Sequence, residues 1–327
     1  MWPVISISLI SFFVATLAIG WLARGRASNL ALDEPNARSL HTTPVPRTGG
    51  VGLLFGIVLG WMIIGPQLPW ALWSSLALLV VVSLLDDLRG LPAAARFCVH
   101  LLAAGLAATT LVGSTDSLLL LAGAVLAICW MCNLYNFMDG SDGLAGGMTL
   151  FGFLSYAVAA WLAGNPQFAL LNLAIAAAAA GFLLHNFHPA RIFLGDAGAV
   201  PLGFLAAIFG LNGWLQQTWT WWFPLLVFSP FIIDASVTLA RRLLSGARIW
   251  EAHRDHYYQR LVQLGLGHRN TALAEYAVMV TCGLAALWAM TLTTGAQYAV
   301  LAAAALFYAA AIAIIERAWR ARQASHA

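Results

Sequence analysis

Residues 69–89 read PWALWSSLALLVVVSLLDDLR. Positions 69–85 of this run carry no charge, and two aspartates and an arginine close it. Coiled as a helix, the uncharged part rises about 25 Å, close to the ~30 Å thickness of a bilayer's hydrocarbon core. Charges placed one helix-length from the start are where a headgroup layer would receive them. The stretch reads as a membrane-crossing helix that ends in a pair of carboxylates.

The same reading extends over the rest of the chain. Apolar spans fall at 2–22, 49–65, 69–85, 94–112, 118–136, 144–163, 168–186, 198–213, 220–240, 273–292 and 297–315, which makes eleven. Turn-forming pairs such as Gly65-Pro66 and Asn165-Pro166 separate them. Each span is expected to be helical, because a backbone in lipid must satisfy its own hydrogen bonds. Composition agrees: 61% of the 327 residues are hydrophobic, 9% are charged, and the mean hydropathy is +0.82. A soluble domain carries roughly a quarter charged residues, so a soluble enzyme is excluded. The expected fold is an all-α, polytopic integral membrane protein, a single transmembrane catalytic domain with 241–272 as its largest loop. Cys98, Cys129, Cys132 and Cys282 lie in apolar stretches and read as small core residues.

Charge gives an expected orientation. The chain has no lysine, and its sixteen arginines all lie in or beside 23–48, 86–93, 137–143, 187–197, 241–272 and the tail after 315. The alternate links are short and nearly neutral, with Asp116 their one clear charge. By the positive-inside rule the arginine-bearing segments face the cytoplasm. The N-terminus is then outside and the C-terminus inside. No basic residue precedes span 2–22, while Arg24 and Arg26 follow it, the pattern of a retained first span rather than a cleaved signal. The fourteen tryptophans, several at 214–222, read as an interfacial belt on the opposite face.

The acidic residues gather on the arginine-bearing face. Asp86 and Asp87 close the third span, Asp139 and Asp142 follow the fifth, and Asp196 follows the seventh. Carboxylates at a membrane boundary are costly to desolvate and mark function. Around them run Asn133-x-x-Asn136-x-x-Asp139-Gly140-Ser141-Asp142-Gly143, whose three-residue spacing stacks polar groups on one side of a helix end, and Asn186-Phe187-His188-Pro189-Ala190-Arg191-Ile192-Phe193-Leu194-Gly195-Asp196. Separated aspartates with nearby glycines suit Mg²⁺, a hard cation that binds through one or two carboxylates plus substrate phosphates. Phosphoryl transfer needs that charge neutralisation together with positioning. His100 and His185, near span boundaries, read as packed or hydrogen-bonded. Asp234, late in the ninth span, reads first as structural, and otherwise as facing the cleft or pairing with Arg241 or Arg242.

Between Asp33 and His256 the chain resembles the polyprenyl-phosphate N-acetylhexosamine-1-phosphate transferases, glycosyltransferase family 4. Five blocks in order carry the resemblance: Asp33-Glu34-Pro35-Asn36-x-Arg38-x-x-His41-x-x-Pro44-x-Pro46-Arg47-x-Gly49-Gly50, then Asp86-Asp87, Asn136 to Gly147, Asn186 to Gly198, and His253-Arg254-Asp255-His256. The resemblance implies ten or eleven transmembrane helices and a Mg²⁺ requirement, with Mn²⁺ as a substitute. It implies transfer of a sugar 1-phosphate from a UDP-N-acetylhexosamine to undecaprenyl phosphate, with release of UMP. Asp196 matches the metal-binding aspartate, joined by Asp139, Asp142 and Asn136. Asp86 and Asp87 match the pair assigned to the lipid phosphate, and His253 and His256 match histidines that meet the donor. His41, Arg47, Asn133, Asn136, Asn186, His188, Arg191, Phe193 and Arg254 make up the implied substrate-binding set.

The Pro44 to Gly50 segment and the block from His253 to Leu261 resemble most the branch that initiates O-antigen synthesis. GlcNAc or a deoxy-amino sugar such as FucNAc or QuiNAc is the implied donor sugar. Expected surroundings are the bacterial inner membrane and its lipids, with the site facing the cytoplasm and no nucleic acid partner; a homodimer is left open. The rival reading is a transporter or flippase for a lipid-linked or anionic solute. Carboxylates collected at one face rather than at the bilayer midplane speak against it.

Overall fold

The computed structural model describes residues 2–24, 31–35, 44–65, 68–113, 117–248 and 253–326. Its helices are α1 (Trp2–Leu22), α2 (Gly49–Ile64), α3 (Trp70–Arg89), α4 (Ala93–Val112), α5 (Leu118–Phe137), α6 (Leu144–Leu162), α7 (Pro166–Asn186), α8 (Asp196–Leu215), α9 (Phe223–Val227), α10 (Ser229–Leu244), α11 (Tyr257–Leu261), α12 (Gly267–Ala289) and α13 (Thr294–His326). A π-helical turn, Val262–Leu266, joins α11 to α12.

Among the described residues nine helical stretches are long and apolar enough to cross a membrane. The remaining two of the eleven expected spans are shorter. Helix α2 has 16 apolar residues, and span 220–240 is broken at Phe228 into α9 and α10. An all-α polytopic membrane architecture is thus what the chain adopts.

Helices α6, α7 and α8 form the buried centre. Helix α7 packs on α6, α1 and α2, and α8 packs on α5 and α3. Small residues permit these approaches: a Cβ at Gly203 in α8 would stand 2.3 Å from the Met131 carbonyl oxygen of α5. Polar side chains in the core are tied across helices. The Trp61 indole donates to the Leu171 carbonyl at 3.0 Å, and the Tyr135 and Thr149 hydroxyls meet at 2.9 Å.

Two regions differ from the sequence-based expectation. Trp219 and Trp222 are buried at 3% exposure, and the Trp219 ring stacks on Tyr156 and Phe223. Only Trp214 and Trp221 of that group face outward, so the expected belt is half core: the chain folds the 216–222 turn back over α6 and α8. Segment 241–272 is also largely helical where described, since α10 runs to Leu244 and α12 starts at Gly267. In addition, Leu32–Asp33 (β1) and Val45–Pro46 (β2) pair antiparallel, and the Phe193 N–H donates to the Pro46 carbonyl at 2.7 Å. That stitches the first loop to the one entering α8.

Candidate active site

One end of the bundle collects the C-terminal turn of α3, the 136–143 turn after α5, the 187–195 loop, the first residues of α2, α4 and α8, and the segment entering α11. The corner between α3 and α8 is oxygen-rich. Asp87 accepts from the backbone N–H of Asp196 at 3.1 Å and of Ala197 at 2.9 Å. Its carboxylate therefore satisfies two of the orphan donors of α8 and sits at the positive end of that helix. Arg47 donates to the Asp87 carbonyl at 2.7 Å, and its Nε lies 3.7 Å from the carboxylate. The Asp87 side chain is 1% exposed.

Asp86 points to a different set of partners. Arg96 on α4 reaches Asp86 at 2.6 Å and Asp196 at 3.1 Å through the same Nη1. The Asp86 and Asp196 carboxyl groups also stand beside one another, with the Asn136 side chain next to Asp196. Asp139 accepts the Gly195 N–H. Burial, with Asp196, Asp87 and Asp33 close by, pushes the Asp139 carboxyl well above the usual carboxylate range.

Glycines close this corner. Gly195 has φ +73°, and a Cβ there would meet the Arg47 carbonyl oxygen at 2.2 Å. A Cβ at Gly50 would lie 2.3 Å from the Gly198 Cα, so the N-termini of α2 and α8 touch backbone to backbone. A larger residue at any of these positions would push Arg47 or Asp196 out of place.

Asp142 faces another way. Its carboxylate meets His188 Nδ1 at 2.6 Å and accepts the Ala190 N–H at 3.2 Å. The His188 ring stacks on His268, whose Nδ1 lies 2.9 Å from the Ser141 hydroxyl. Asn186 accepts the Gly143 N–H at 3.0 Å and donates to the Ile192 carbonyl at 2.9 Å. Asp142 and Asn186 thus fasten the 140–143 turn to the 187–195 loop and set Asp139 and Asp196 beside each other.

The histidine corner is built on Asp234 of α10. Its carboxylate accepts the N–H groups of Tyr257 and Tyr258, both at 2.9 Å, and lies 3.1 Å from His256 Nδ1. A carboxylate partner fixes the proton on Nδ1 and leaves Nε2 as the free ring nitrogen. His256 is buried and stacks on Phe137 at the end of α5. The Tyr258 hydroxyl donates to the Phe137 carbonyl at 3.1 Å, which joins this corner to the turn carrying Asp139. The His253 ring lies 5.0 Å from that of His256. Burial, then the neighbouring His256 and Arg242, lower its pKa to about 4.

The structure therefore brings together Arg47, Asp86, Asp87, Asn136, Asp139 and Asp196, and adjoins His253 and His256 through Phe137. Asp142, Asn186 and His188 lie one layer out. Phe193 contributes its backbone, accepting from Gly49 at 2.9 Å. Asn133 donates back to Cys129 at 2.7 Å and contacts His100. Arg191 and Arg254 are exposed, and His41 lies outside the described residues. His100 is buried, and His185 bonds the Thr16 carbonyl at 3.1 Å, both packed as expected.

Sequence reasoning missed Arg96, although it stands ten residues beyond Asp86 across a tight turn, where an arginine beside two aspartates is a signal in itself. Asp234 has the structural role that its place in the sequence suggests first, while the alternative of a pairing with Arg241 or Arg242 is corrected. Those arginines bind Glu316 and Asp255 instead, because the backbone of α11 brings its own N–H groups to Asp234.

The profile described as Glycosyl transferase family 4 matches residues 69–213, from the start of α3 to near the end of α8. A protein of Bacillus subtilis (strain 168) named "Probable undecaprenyl-phosphate N-acetylglucosaminyl 1-phosphate transferase" is 31% identical over 266 residues, covering 76% of this chain and 74% of its own. The chain belongs to glycosyl transferase family 4. Within this family it is also similar to the decaprenyl-phosphate N-acetylglucosaminephosphotransferase of Mycobacterium tuberculosis (strain CDC 1551 / Oshkosh), at 28% identity over 75% of this chain and 72% of that one. The phospho-N-acetylmuramoyl-pentapeptide-transferase of Moorella thermoacetica (strain ATCC 39073 / JCM 9320) is 26% identical over 89% of this chain and 98% of its own. The family resemblance read from five sequence blocks is borne out.

Proposed function

We propose that this family member transfers N-acetylhexosamine 1-phosphate from a UDP-sugar to undecaprenyl phosphate at the cytoplasmic face of a bacterial inner membrane. The observation that carries the reading is the Asp86–Arg96–Asp196 bridge, with Asp139 and Asn136 against it, at the membrane-boundary end of helices. Like-charged carboxylates held in contact at a half-buried site call for a cation or for a ligand that brings one.

The donor set fits Mg²⁺. Asp196, Asp139 and Asn136 offer hard oxygen atoms, and Mg²⁺ takes one or two protein carboxylates while substrate phosphates and water complete its shell. Asp142, occupied by His188, is left as a loop anchor. When bound, the ion would neutralise charge on the diphosphate oxygens.

In the proposed reaction an oxygen of the lipid phosphate forms a bond to the β-phosphorus of the donor. The bond from that phosphorus to the oxygen bridging it to the α-phosphate breaks, and UMP leaves with the bridging oxygen. Arg96 balances the two carboxylates and orients Asp196. Arg47 and the buried Asp87 hold the start of α8 in register. His256, its Nδ1 committed to Asp234, presents Nε2 to the donor. A phosphate monoester is already mostly dianionic at neutral pH, so positioning and charge balance suffice without a dedicated base.

Two relatives carry N-acetylglucosaminyl in their names, which favours UDP-GlcNAc over UDP-FucNAc or UDP-QuiNAc. The product would begin an O-antigen or related envelope polysaccharide. The test is UMP release by the purified protein in detergent with Mg²⁺ and undecaprenyl phosphate, donor by donor. Lipid-dependent, EDTA-sensitive release is expected. Flux of a labelled solute across proteoliposomes without any UMP would overturn the reading in favour of transport.

A further inference from the structure

The C-terminal helix α13 touches the rest of the protein sparingly. Its apolar stretch is unburied, and a cavity of 470 Å³ lined by Ala277, Thr281, Ala304 and Phe307, among others, separates it from α12. Polar ties attach it. Gln297 meets the Trp222 indole at 3.3 Å, and Tyr308 meets Ser229 at 2.7 Å. The third tie is at Glu316, 22 residues after Thr294, or about 33 Å up the helix. That distance is one hydrocarbon thickness, so Glu316 emerges at the boundary where the candidate site lies.

Glu316 is the hub of a closed cluster. Its Oε1 accepts from Arg241, from Arg260 at 2.9 Å and from the Tyr257 hydroxyl at 3.1 Å. The Arg241 and Arg260 guanidinium groups lie 5.3 Å and 5.7 Å from the Tyr257 ring centroid, and Trp319 covers Arg260 at 5.1 Å. Tyr257 is the first residue of α11 and follows His256 directly. Arg241 also donates to the Asp255 carbonyl at 2.9 Å, Arg242 binds the Asp255 carboxylate, and the Asp255 N–H reaches His253. His256 and Tyr257 are thereby held by Asp234, and Asp255, with His253 bonded to it, by the Arg241 that Glu316 binds.

Resting on the proposed reaction, we infer that Glu316 is a positioning residue, which through Arg241, Arg260 and Tyr257 fixes the His253–His256 segment against the donor site. Stability of α13 alone does not account for the arrangement, because a helix anchored in lipid by its apolar stretch needs no three-donor carboxylate at its end. Two buried or half-buried guanidinium groups without Glu316 would repel each other across Tyr257 and release α11 from Asp234. The histidines would then lose their alignment while the aspartate corner stayed intact.

The experiment compares the full-length protein with Glu316→Gln, His256→Ala and the double variant, each in detergent with Mg²⁺, undecaprenyl phosphate and UDP-GlcNAc. Glu316→Gln is expected to lower kcat/KM for the donor about tenfold in the parent protein and less than about twofold in the His256→Ala background, since groups acting through one another are not additive. Labelling of His256 by diethyl pyrocarbonate, read by peptide mass spectrometry, is expected to accelerate in Glu316→Gln, because His256 is 3% exposed in the intact fold. Tyr257→Phe, which removes one hydroxyl, gives a gentler variant should Glu316→Gln fail to fold, with the same direction expected for both readouts. Equal losses in both backgrounds, or unchanged labelling, would overturn the inference. A parent protein that folds yet releases no UMP would overturn the proposed reaction instead, and the labelling arm would still decide the role of Glu316.

Discussion

The aspartate corner and the histidine corner sit at the same end of the bundle and are held in opposite ways. At the first, Asp86 and Asp196 share one arginine and Asp139 stands beside Asp196 with no arginine ion-paired to it among the described residues, so the carboxylates outnumber the cationic group. At the second, each carboxylate is matched: Asp234 by two backbone N–H groups and His256, Asp255 by Arg242, and Glu316 by two arginines and a tyrosine. On the proposed reaction, the under-compensated corner would receive the cation and the diphosphate that comes with it. A fully paired one is arranged to stay where it is. The two corners are thereby built from different chemistry at one end of the bundle.

The contrast can be broken most severely at Asp196. Asp196→Asn is expected to cut UMP release by about 10²–10³-fold, the scale for losing one electrostatic group aimed at developing charge, with the melting temperature held. Removing divalent cation with EDTA should have the same effect on the parent protein and be reversed by Mg²⁺. The neighbouring pair sharpens the point. Asp87→Asn, which weakens a buried acceptor of two N–H groups, is expected to cost about 1–3 kcal/mol of stability, read by thermal unfolding in detergent. Asp86→Asn should leave unfolding nearly unchanged and lower turnover.

Asp234→Asn tests the second corner. Loss of charge at the α11 N-terminus is expected to cost about 0.5–2 kcal/mol and to lower kcat/KM for the donor rather than the response to Mg²⁺. The smallest effect is one of pH. His253 has its pKa lowered to about 4 from an ordinary 6.5, so the unfolded chain binds the proton more readily between those values. Stability from this group is complete above about pH 6.5 and is lost as pH falls toward 4. His253→Gln should flatten that part of the stability curve, and an unchanged slope would remove His253 from the account.

Much of this was legible in order along the chain. Uncharged runs of helical length, each closed by charge, named the spans, because a bilayer admits few other solutions. Aspartates and asparagines repeated at span ends marked the face where the site lies. What stayed hidden depends on partners remote in sequence. Trp219 and Trp222 read as belt residues because hydropathy does not say which way a turn folds. Asp234 read as structural without a partner to name, with arginines about two turns away as one option, until α11, more than twenty residues on, brought it backbone donors. Arg96 had a sequence signal in its nearness to Asp86, but its bridge to Asp196 appeared only when α3, α4 and α8 met.

The sequence by itself determined a helical membrane protein with its acidic blocks at the span ends of one face, since apolar length and local polar spacing are properties of adjacent residues; the family was legible from the resemblance of five motif blocks. The tertiary structure decided which carboxylates share the Arg96 corner, which one caps a helix and which ones grip the histidine segment. Those roles come from distances across the bundle and from which backbone N–H groups each oxygen finds. Asp86 and Asp87, neighbours in sequence and identical in chemistry, part company for that reason.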